Sequence, residues 1–387
     1  MFIFSGNFVN FFMLNKTIQK ITIEDEMALV PKHILSLKPY QAGKPIEEVQ
    51  RELGLKRIVK LASNENPLGV SPKAQQGMID ALAETNRYPA PDGYVLRKTL
   101  AERYDIKLEN VFLGHGSEGI ISLIMRTFLL DDEEAVTSEG SFIAFDIQAK
   151  SRGIKLVKTP LKDYHLDLDA MADRINDKTK IIYLANPNNP TGTIFKVHQF
   201  LEFINKVPEH CLVILDEAYF EFARNDPAYP DSMQYRLDNV ITLRTFSKAF
   251  GLAGVRLGYG FAHESFISNL MKIKLAFEPS SVAIAAGTAA MEDQEFLEKT
   301  VQVTSRGRKF FYELFEETGI EYIKSHANFV TIILENEEKV NVFYDKMLRK
   351  GVIVRPLKAF GLPHCARISV GTEEENGIFA KALKEIL

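Results

Sequence analysis

The sequence predicts an α/β fold in which a mostly parallel sheet lies between helices. Short, continuous apolar runs alternate with amphipathic stretches through the middle of the chain, and continuous hydrophobicity is typical of strands that are covered on both faces. Polar, glycine-bearing or ionisable residues follow four of these runs directly. A chain of 387 residues is too long for one compact core, so we expect two domains of unequal size.

The larger domain is predicted to hold the sheet. Its strands are the apolar runs Asn110–Leu113, Glu134–Thr137, Lys180–Ala185, Cys211–Leu215 and Val240–Leu243, and its helical patterns include Glu118–Leu129 and His198–Lys206. The polar segments that follow four of the strands are 114–117, 186–192, 216–219 and 244–248. Because open α/β sheets bind ligands beyond the carboxyl ends of their strands, these four loops predict a single cleft.

A second, smaller α/β domain is predicted after about residue 280. Its elements are a long helix over Val282–Thr318, a strand at Phe329–Leu334, a helix over Glu337–Lys350, strands at Val352–Arg355 and Arg367–Val370, and a closing helix over Thr372–Leu387. Thr372 and Glu375 have the spacing of a capping box. The predicted division is an N-terminal extension over 1–30, a segment over 31–60 that joins the small domain, a large domain over 61–280 and a small domain over 281–387.

The first residues, MFIFSGNFVNFFML, are aromatic and uncharged. They lack the positive start and the small-residue cleavage site of a secretory signal, and they are shorter than the ~20 apolar residues that span a bilayer. We expect a loosely held extension, or residues upstream of a start at Met27, because chain termini are commonly poorly ordered.

The composition excludes several classes of protein. The chain is 46% hydrophobic and 25% charged, as in soluble enzymes, and its net charge of −4 argues against a nucleic-acid surface. Cys211 and Cys365 are far apart and fit neither a disulfide pattern nor a metal-ligand pattern. We therefore expect a cytoplasmic protein with no metal, no nucleic acid and no membrane among its partners.

Lys248 lies within TFSKAFGLAGVRLGYG, which runs from Thr245 to Gly260. An isolated lysine is usually a surface residue. Here the hydroxyls of Thr245 and Ser247 precede it, and Arg256 follows two glycines, so the segment can gather a phosphate beside an amine. A pyridoxal phosphate enzyme needs that amine, a carboxylate at the pyridine nitrogen, and a glycine-rich turn at a helix N-terminus for the phosphate.

The other candidate residues are ambiguous when each is taken alone. Asp216 ends an apolar strand, where it is either a turn or helix cap or the partner of the pyridine nitrogen. Asn189 stands in a sequence that also suits a simple turn, and the Gly114–Gly119 turn can bind an anion or only connect a strand to a helix. Their number and their order along the chain favour the cofactor site.

Three motifs, NPNNPTG, DEAYFEF and TFSKAFGLAGVRLGYG, resemble those of the fold-type I aminotransferases, and specifically the histidinol-phosphate aminotransferase family. The resemblance extends from about Pro39 through PYQAGKPIEEVQRELGL, KLASNENPLG, NRYPAPDG and ARISVGT. Only the first ~30 residues lie outside it, as expected of a terminal extension.

The resemblance implies a role for each matching residue. It implies that Lys248 forms a Schiff base with pyridoxal 5′-phosphate, that Asp216 pairs with the pyridine nitrogen, and that Asn189 and Tyr219 contact the phenolate oxygen. Phe142 stands where many relatives have a tyrosine that stacks on the ring. The implied phosphate ligands are the backbone of Ser117 and Glu118, the side chains of Thr245, Ser247 and Arg256, and Tyr88 from the partner subunit of a homodimer.

The substrate-binding residues implied by the resemblance are Arg367, with Arg355 and Tyr40 beside it, and Asn189. Without the motif, each arginine would be taken for half of a surface ion pair. The implied reaction is amino-group transfer from histidinol phosphate to 2-oxoglutarate, in histidine biosynthesis. An aromatic amino-acid aminotransferase and a decarboxylase of an amino-acid phosphate remain open on the same scaffold. A more distant alternative is a cofactor-binding sensor without turnover.

Overall fold

The computed structural model describes residues 30–37 and 44–387. The predictions for the N-terminal extension, for Met27 and for Tyr40 lie outside these residues. Within them, no helix is both long enough and apolar enough to cross a membrane.

The strands of the described chain are short, and those at the centre of the main sheet are almost entirely buried. They are β1 Val59–Lys60, β2 Val111–Gly114, β3 Glu134–Ser138, β4 Lys155–Thr159, β5 Leu161–Lys162, β6 His165–Leu166, β7 Thr179–Ala185, β8 Leu212–Asp216, β9 Val240–Thr245, β10 Gly258–Phe261, β11 Glu321–Ile323, β12 Phe329–Ile333, β13 Val352–Ile353, β14 Arg355–Pro356 and β15 Cys365–Ser369.

The helices surround these strands, and several begin at a side-chain cap. They are α1 Lys32–Leu35, α2 Ile46–Leu53, α3 Pro72–Ala81, α4 Tyr94–Tyr104, α5 Gly116–Phe128, α6 Ile143–Ser151, α7 Leu168–Ala172, α8 Val197–Ile204, α9 Phe220–Ala223, α10 Glu264–Ile273, α11 Ser281–Glu292, α12 Gln294–Thr318, α13 Glu337–Arg349 and α14 Glu373–Ile386. Short 3₁₀ turns occupy Leu82–Glu84, Leu108–Asn110, Ser232–Gln234, Ala253–Val255 and Lys358–Phe360.

Seven strands form the main sheet, in the order β2-β10-β9-β8-β7-β3-β4. Neighbours from β9 through β4 pair in parallel, whereas β10 runs antiparallel to both β9 and β2. Apolar clusters cover the two faces of this sheet. The predicted mostly parallel sheet between helices is therefore confirmed, with one antiparallel strand inside it.

A separate antiparallel sheet, in the order β11-β12-β15-β14, is formed near the C-terminus. The short strand β1 pairs in parallel with β13 nearby, and Val59 and Leu61 join the apolar cluster of α12, α13 and α14. Residues just before the main sheet thus pack with the C-terminal part of the chain. The division into domains at 61–280 and 281–387 stays a prediction.

Two predicted elements are each split in the structure. The single helix expected over Val282–Thr318 is two helices, because Asp293 caps the second by accepting a hydrogen bond from the N–H of Phe296. The strand expected over Val352–Arg355 is divided between β13, which pairs with β1, and β14, which pairs with β15. The capping box of Thr372 and Glu375 is present at the start of α14.

The parallel strands β7, β8 and β9 end at the same edge of the main sheet. Ala185 lies opposite Asp216, and Asp216 lies opposite Leu243, two residues before the end of β9. The loops that leave these strands are therefore neighbours, and this edge carries the predicted cleft.

Candidate active site

A cleft of about 190 Å³ lies at the carboxyl edge of the main sheet. Except for Tyr88, every residue predicted to bind the cofactor lines it. The lining consists of Gly116, Ser117, Glu118, Phe142, Tyr183, Ala185, Pro187, Asn189, Asp216, Ala218, Tyr219, Thr245, Ser247, Lys248 and Arg256. Four loops that are distant in sequence thus meet at one cleft.

A larger cavity, of about 510 Å³, lies at the opposite edge of the sheet, where β9 begins at Val240 and β10 ends at Phe261. Its lining includes Lys107, Arg236 and His263 but none of the residues predicted from the motifs. Size alone would favour this cavity. The convergence of a half-buried lysine with a lowered pKa and a buried carboxylate favours the smaller cleft as the active site.

Lys248 follows β9, and its Nζ donates a hydrogen bond to the carbonyl oxygen of Ser63 at 3.3 Å. Burial lowers the pKa of Lys248 to about 8; the charges of Arg367 and Arg256 act in the same direction, and Glu65 and Asp216 oppose it. A lysine with this pKa carries a substantial neutral fraction at mildly alkaline pH. Its amine can therefore act as a nucleophile or as a proton acceptor.

Asp216 ends β8 with its side chain buried. Burial raises the pKa of Asp216 to about 6, and the Tyr183 hydroxyl at 2.7 Å, the Ala218 N–H at 3.1 Å and the Lys248 charge oppose the rise. No lysine or arginine in the described part of the chain forms a salt bridge with this carboxylate. The site thus offers a buried negative charge to a cationic ligand group.

The next residue, Glu217, is fully buried and has a different environment. Its Oε2 accepts hydrogen bonds from Nε and a terminal nitrogen of Arg244, at 2.9 and 2.7 Å, and Arg244 also donates to Asp231 at 2.8 Å. The guanidinium stacks on Phe220, 3.4 Å from the ring centroid. We refer to Glu217, Arg244 and Asp231 as the arginine cluster.

The N-terminus of α5 forms an anion-binding cradle with Arg256. Gly116 has φ +72°, and a Cβ there would lie 2.8 Å from a terminal nitrogen of Arg256. A Cβ on Gly258 would lie 2.5 Å from the nitrogen of Ser117. Glycine at both positions allows Arg256, which also donates to Ser247 Oγ at 3.3 Å, to approach the free N–H groups of the helix. This set of donors suits a phosphate group.

Tyr219 and Asn189 also line the cleft, and hydrogen bonds orient both side chains. Asn64 Nδ2 donates to the Tyr219 hydroxyl at 2.9 Å. Asn189 Oδ1 accepts a hydrogen bond from Arg367, whose other terminal nitrogen donates to the carbonyl oxygen of Ala62 at 3.0 Å. Because Arg367 engages the amide oxygen, the NH₂ group of Asn189 is available as a donor toward the cleft.

The remaining predicted residues lie outside the lining of the cleft. Arg355 and Arg367 are buried cross-strand neighbours on β14 and β15, and Arg367 reaches the cleft through Asn189. Tyr88 is 80% exposed and stacks on Phe277, with ring centroids 4.3 Å apart, so the structure does not bring it to the cleft of its own chain.

Sequence reasoning missed three polar residues around the site: Tyr183, Asn64 and Arg244. Tyr183 carries the one hydroxyl in the apolar run of β7, which is a usable signal. Asn64 is buried with a left-handed backbone, φ 54°, within SNENP. Arg244 precedes Thr245 in a buried strand, where an unpaired charge would be costly.

Comparisons with known proteins agree with this geometry. The aminotransferase class I and II family model matches residues 56–383. Histidinol-phosphate aminotransferase 1 of Idiomarina loihiensis is 42% identical over 363 residues, 93% of this chain and 98% of the relative. Histidinol-phosphate aminotransferase 2 of Pasteurella multocida is 40% identical over 360 residues, again 93% and 98%.

A solved structure gives the same result for the fold. Histidinol-phosphate aminotransferase from Sinorhizobium meliloti, in complex with pyridoxal-5′-phosphate, superposes with a TM-score of 0.84 at 28% identity, covering 93% of this chain and 97% of that one. The match to the family model, over residues 56–383, includes both sheets and all four loops of the cleft. The chain belongs to the histidinol-phosphate aminotransferase family, within the class I and II aminotransferases.

Proposed function

We propose that the protein is a pyridoxal 5′-phosphate-dependent aminotransferase that converts histidinol phosphate and 2-oxoglutarate into imidazole-acetol phosphate and glutamate, a step of histidine biosynthesis. The observation that carries the proposal is the cleft itself, where Lys248, Asp216 and the anion cradle of α5 and Arg256 meet. Relatives that are about 40% identical over nearly their whole length are named for this reaction.

The residues present fit the cofactor. The buried carboxylate of Asp216 suits the protonated ring nitrogen, and the cradle that Gly116 leaves open beside Arg256 suits the phosphate. Thr245 and Ser247 add hydroxyls to the cradle, and Tyr219 and Asn189 add donors for the phenolate oxygen. Phe142 lines the cleft as an apolar face for the ring. When bound, the cofactor supplies an aldehyde that reacts with amines and a ring that accepts electrons.

Lys248 and Asp216 have different roles in the proposed reaction: Lys248 transfers a proton, and Asp216 holds one in place. Lys248 Nζ, with a pKa near 8, can accept the proton from the substrate carbon that bears the nitrogen, and it would return a proton to the carbon on the other side of that nitrogen. Asp216 would hold a proton on the ring nitrogen of the bound cofactor, because a buried carboxylate favours the protonated form of a nitrogen that pairs with it. The burial of Asp216 strengthens its pairing with a cationic group.

We assign the substrate anion to Arg367, with Arg355 beside it; the sequence resemblance also implies Tyr40, which lies outside the described residues. Arg367 presents a planar fork that fits a carboxylate or a phosphate, and its contact with Asn189 links it to the cleft. One pocket must accept both anions, because histidinol phosphate carries a phosphate where glutamate carries a carboxylate.

Steady-state rates with histidinol phosphate and with phenylalanine would test the substrate assignment. We expect turnover of histidinol phosphate, with glutamate formed in step with imidazole-acetol phosphate. Preferred turnover of phenylalanine would favour an aromatic aminotransferase, and release of CO₂ would favour a decarboxylase. Binding of the cofactor and an amine without any oxo acid released would favour a sensor.

A homodimer that shares its two active sites is the proposed assembly. Exposed apolar side chains cluster around Tyr88, among them Tyr94, Val95, Leu275 and Phe277, each at least 39% exposed. An apolar groove runs between Tyr94 on α4 and Ile284 on α11. A second copy would cover this face and bring its Tyr88 to the cofactor phosphate.

Mixing two inactive variants would test whether Tyr88 acts in the other subunit. A heterodimer of Lys248→Ala and Tyr88→Phe chains contains one site free of both changes if Tyr88 acts across the interface. We expect activity to recover on mixing. A mixed dimer as weak as the Tyr88→Phe parent would show that the tyrosine serves its own chain.

The proposed location is the cytoplasm. Support comes from the biosynthetic reaction and from Cys211 and Cys365, which are both buried free thiols. Fractionation of cells that produce the full chain would test this location.

A further inference from the structure

Tyr183 lies in the middle of β7 and is fully buried. Its ring stacks on Phe145 of α6, with centroids 4.3 Å apart and planes inclined by 19°. Its hydroxyl donates to Asp216 Oδ2 at 2.7 Å. Because β7 and β8 pair in parallel with Ala185 opposite Asp216, the strand register and the stacked ring together fix the position of this hydroxyl.

The direction of the hydrogen bond follows from the two groups. Burial raises the pKa of Tyr183 well above its ordinary value, and the negative charge of Asp216 raises it further, so the phenol keeps its proton. Asp216 is therefore the acceptor. Among the influences that favour the charged form of Asp216, the Tyr183 hydrogen bond is the strongest, ahead of the Ala218 N–H and the charge of Lys248.

Packing alone does not account for the hydroxyl. The neighbouring positions of β7 are Ile181, Ile182 and Leu184, and a phenylalanine at 183 would fill the same volume against Phe145. Within the described residues, the hydrogen bond recorded for the Tyr183 hydroxyl is the one to Asp216. A buried hydroxyl without a partner is unfavourable, so its presence is tied to this carboxylate.

We infer that Tyr183 is a positioning residue that acts through Asp216: its hydroxyl keeps Asp216 a carboxylate and oriented toward the cleft, so that the proton shared with the ring nitrogen of the bound cofactor stays on the nitrogen. The inference rests on the proposed function. Tyr183 transfers no proton itself. Without its hydroxyl, Asp216 becomes the stronger base and draws the shared proton toward its own oxygen, which weakens the ring as an electron acceptor.

Several other titratable groups face this pair and must be held constant. Lys248 approaches from the loop after β9, Tyr219 from the turn before α9 and Asp146 from α6. Glu217 is directed to Arg244 instead. None of these groups changes in a Tyr183→Phe variant.

The test is ¹⁵N NMR of enzyme loaded with pyridoxal phosphate labelled at the ring nitrogen, recorded from pH 6 to 9. The wild type should show a protonated nitrogen throughout, whereas Tyr183→Phe should move toward the unprotonated shift as pH rises. Its kcat should fall about tenfold, in line with a hydrogen bond to a charged group. KM for histidinol phosphate should change less than twofold, because Tyr183 acts on Asp216 rather than on substrate.

Tyr259→Phe is the matched control. Tyr259 is another fully buried tyrosine of the same sheet, but its hydroxyl faces that of Tyr104, at 3.4 Å. The control should keep the wild-type nitrogen signal. If Tyr183→Phe fails to fold, the spectra are extended above pH 9, where 3,5-difluorotyrosine at position 183, a stronger donor of the same shape, should hold the protonated signal to higher pH than the wild type does.

Superimposable nitrogen signals for Tyr183→Phe and the wild type across the pH range would overturn the inference, as would a difluorotyrosine enzyme with no change. The NMR measurement needs no substrate. A wrong substrate assignment would therefore leave it intact, whereas failure of the wild type to bind the cofactor would overturn the proposed function and this inference together.

Discussion

Two carboxylates at the end of β8, Asp216 and Glu217, are adjacent in sequence and both buried, yet their surroundings differ. Glu217 belongs to the arginine cluster, where Arg244 donates two hydrogen bonds to it. Asp216 receives hydrogen bonds from Tyr183 and Ala218 and forms no salt bridge with a described lysine or arginine. Arg244 balances the negative charge of Glu217, whereas the negative charge of Asp216 faces the cleft.

The difference distinguishes a structural charge from a functional one. A buried ion pair that is fully hydrogen-bonded is a closed unit, and removing one partner leaves a costly unpaired charge. A buried carboxylate without a cation destabilises the empty protein and is compensated when a cationic group binds. Substitutions of Asp216 and of Glu217 should therefore affect stability and activity differently. The expected effects are given from the largest to the smallest.

The largest effect is expected from Lys248→Ala, because this lysine is the proposed attachment point of the cofactor beside Asp216. Transamination should fall by about 10⁴-fold, the upper end of what one acid–base group contributes. Borohydride treatment of the wild type should attach the cofactor to the peptide that contains Lys248, and mass spectrometry would identify it. Label on any other lysine would contradict the site. The exposed Lys98→Ala on α4 should behave as the wild type.

Glu217→Gln should destabilise the protein strongly, because it leaves Arg244 buried with half of its pairing lost. We expect a loss of about 3–5 kcal/mol in the free energy of unfolding, as for other buried pairs that lose one partner. Urea unfolding of the cofactor-free protein at pH 7 would measure it. Glu298→Gln, in the more exposed pair with Arg224, should cost less than about 1 kcal/mol. Equal losses of stability in Glu217→Gln and Glu298→Gln would show that the buried pair contributes no more to folding than the more exposed pair does.

Asp216→Asn should have the opposite effect on the cofactor-free protein. The pKa of Asp216 is raised from 3.8 to about 6 in the fold, so its ionised form opposes folding above pH 6, by about 3 kcal/mol from the shift. Below pH 3.8 the carboxyl is protonated in both states, and the penalty disappears. The substitution also removes the carboxylate that accepts a hydrogen bond from the Ala218 N–H. With this loss included, the free energy of unfolding at pH 7 should still increase by about 2 kcal/mol.

Unfolding of wild-type and Asp216→Asn proteins between pH 4 and pH 8 would check this sign. The stability difference should be near zero at pH 4, should grow between pH 4 and pH 6, and should level off above pH 6. Transamination should be severely reduced in the same variant, since an amide cannot balance a ring cation. A variant that is destabilised at pH 7, as Glu217→Gln is expected to be, would show that Asp216 also serves the fold.

Sequence could predict the parts of this site that lie within one loop. Lys248, Thr245 and Ser247 are close in sequence, and Asp216 is marked by its place at the end of an apolar run. Tyr183 was missed because its partner lies on the next strand, and only the register of β7 and β8 brings them together. Arg244 was missed for the same reason. The boundary between α11 and α12 at Asp293 could not be predicted from the sequence, because the helical pattern continues on both sides of this capping residue.

The smallest effect is expected where two neighbouring charges share one task, at Arg355 and Arg367. Arg367→Ala should impair both half-reactions, since this arginine contacts Asn189 and is the proposed ligand of either anion. Arg355 adds charge that a phosphate dianion uses more fully than a carboxylate monoanion. Arg355→Ala should therefore slow the half-reaction with histidinol phosphate about tenfold more than that with glutamate, the weight of one charged hydrogen bond.

Single-turnover absorbance spectra of each half-reaction would measure these losses separately. Arg349→Ala, an exposed arginine at the end of α13, controls for a general change in charge. Equal losses with the two amino donors in Arg355→Ala would exclude a role in reading the phosphate, because a contact that serves a monoanion and a dianion equally does not distinguish between them. Arg367 would then remain as the one member of this arginine pair with a proposed role in binding substrate, just as Asp216 is the one member of the carboxylate pair that faces the cleft.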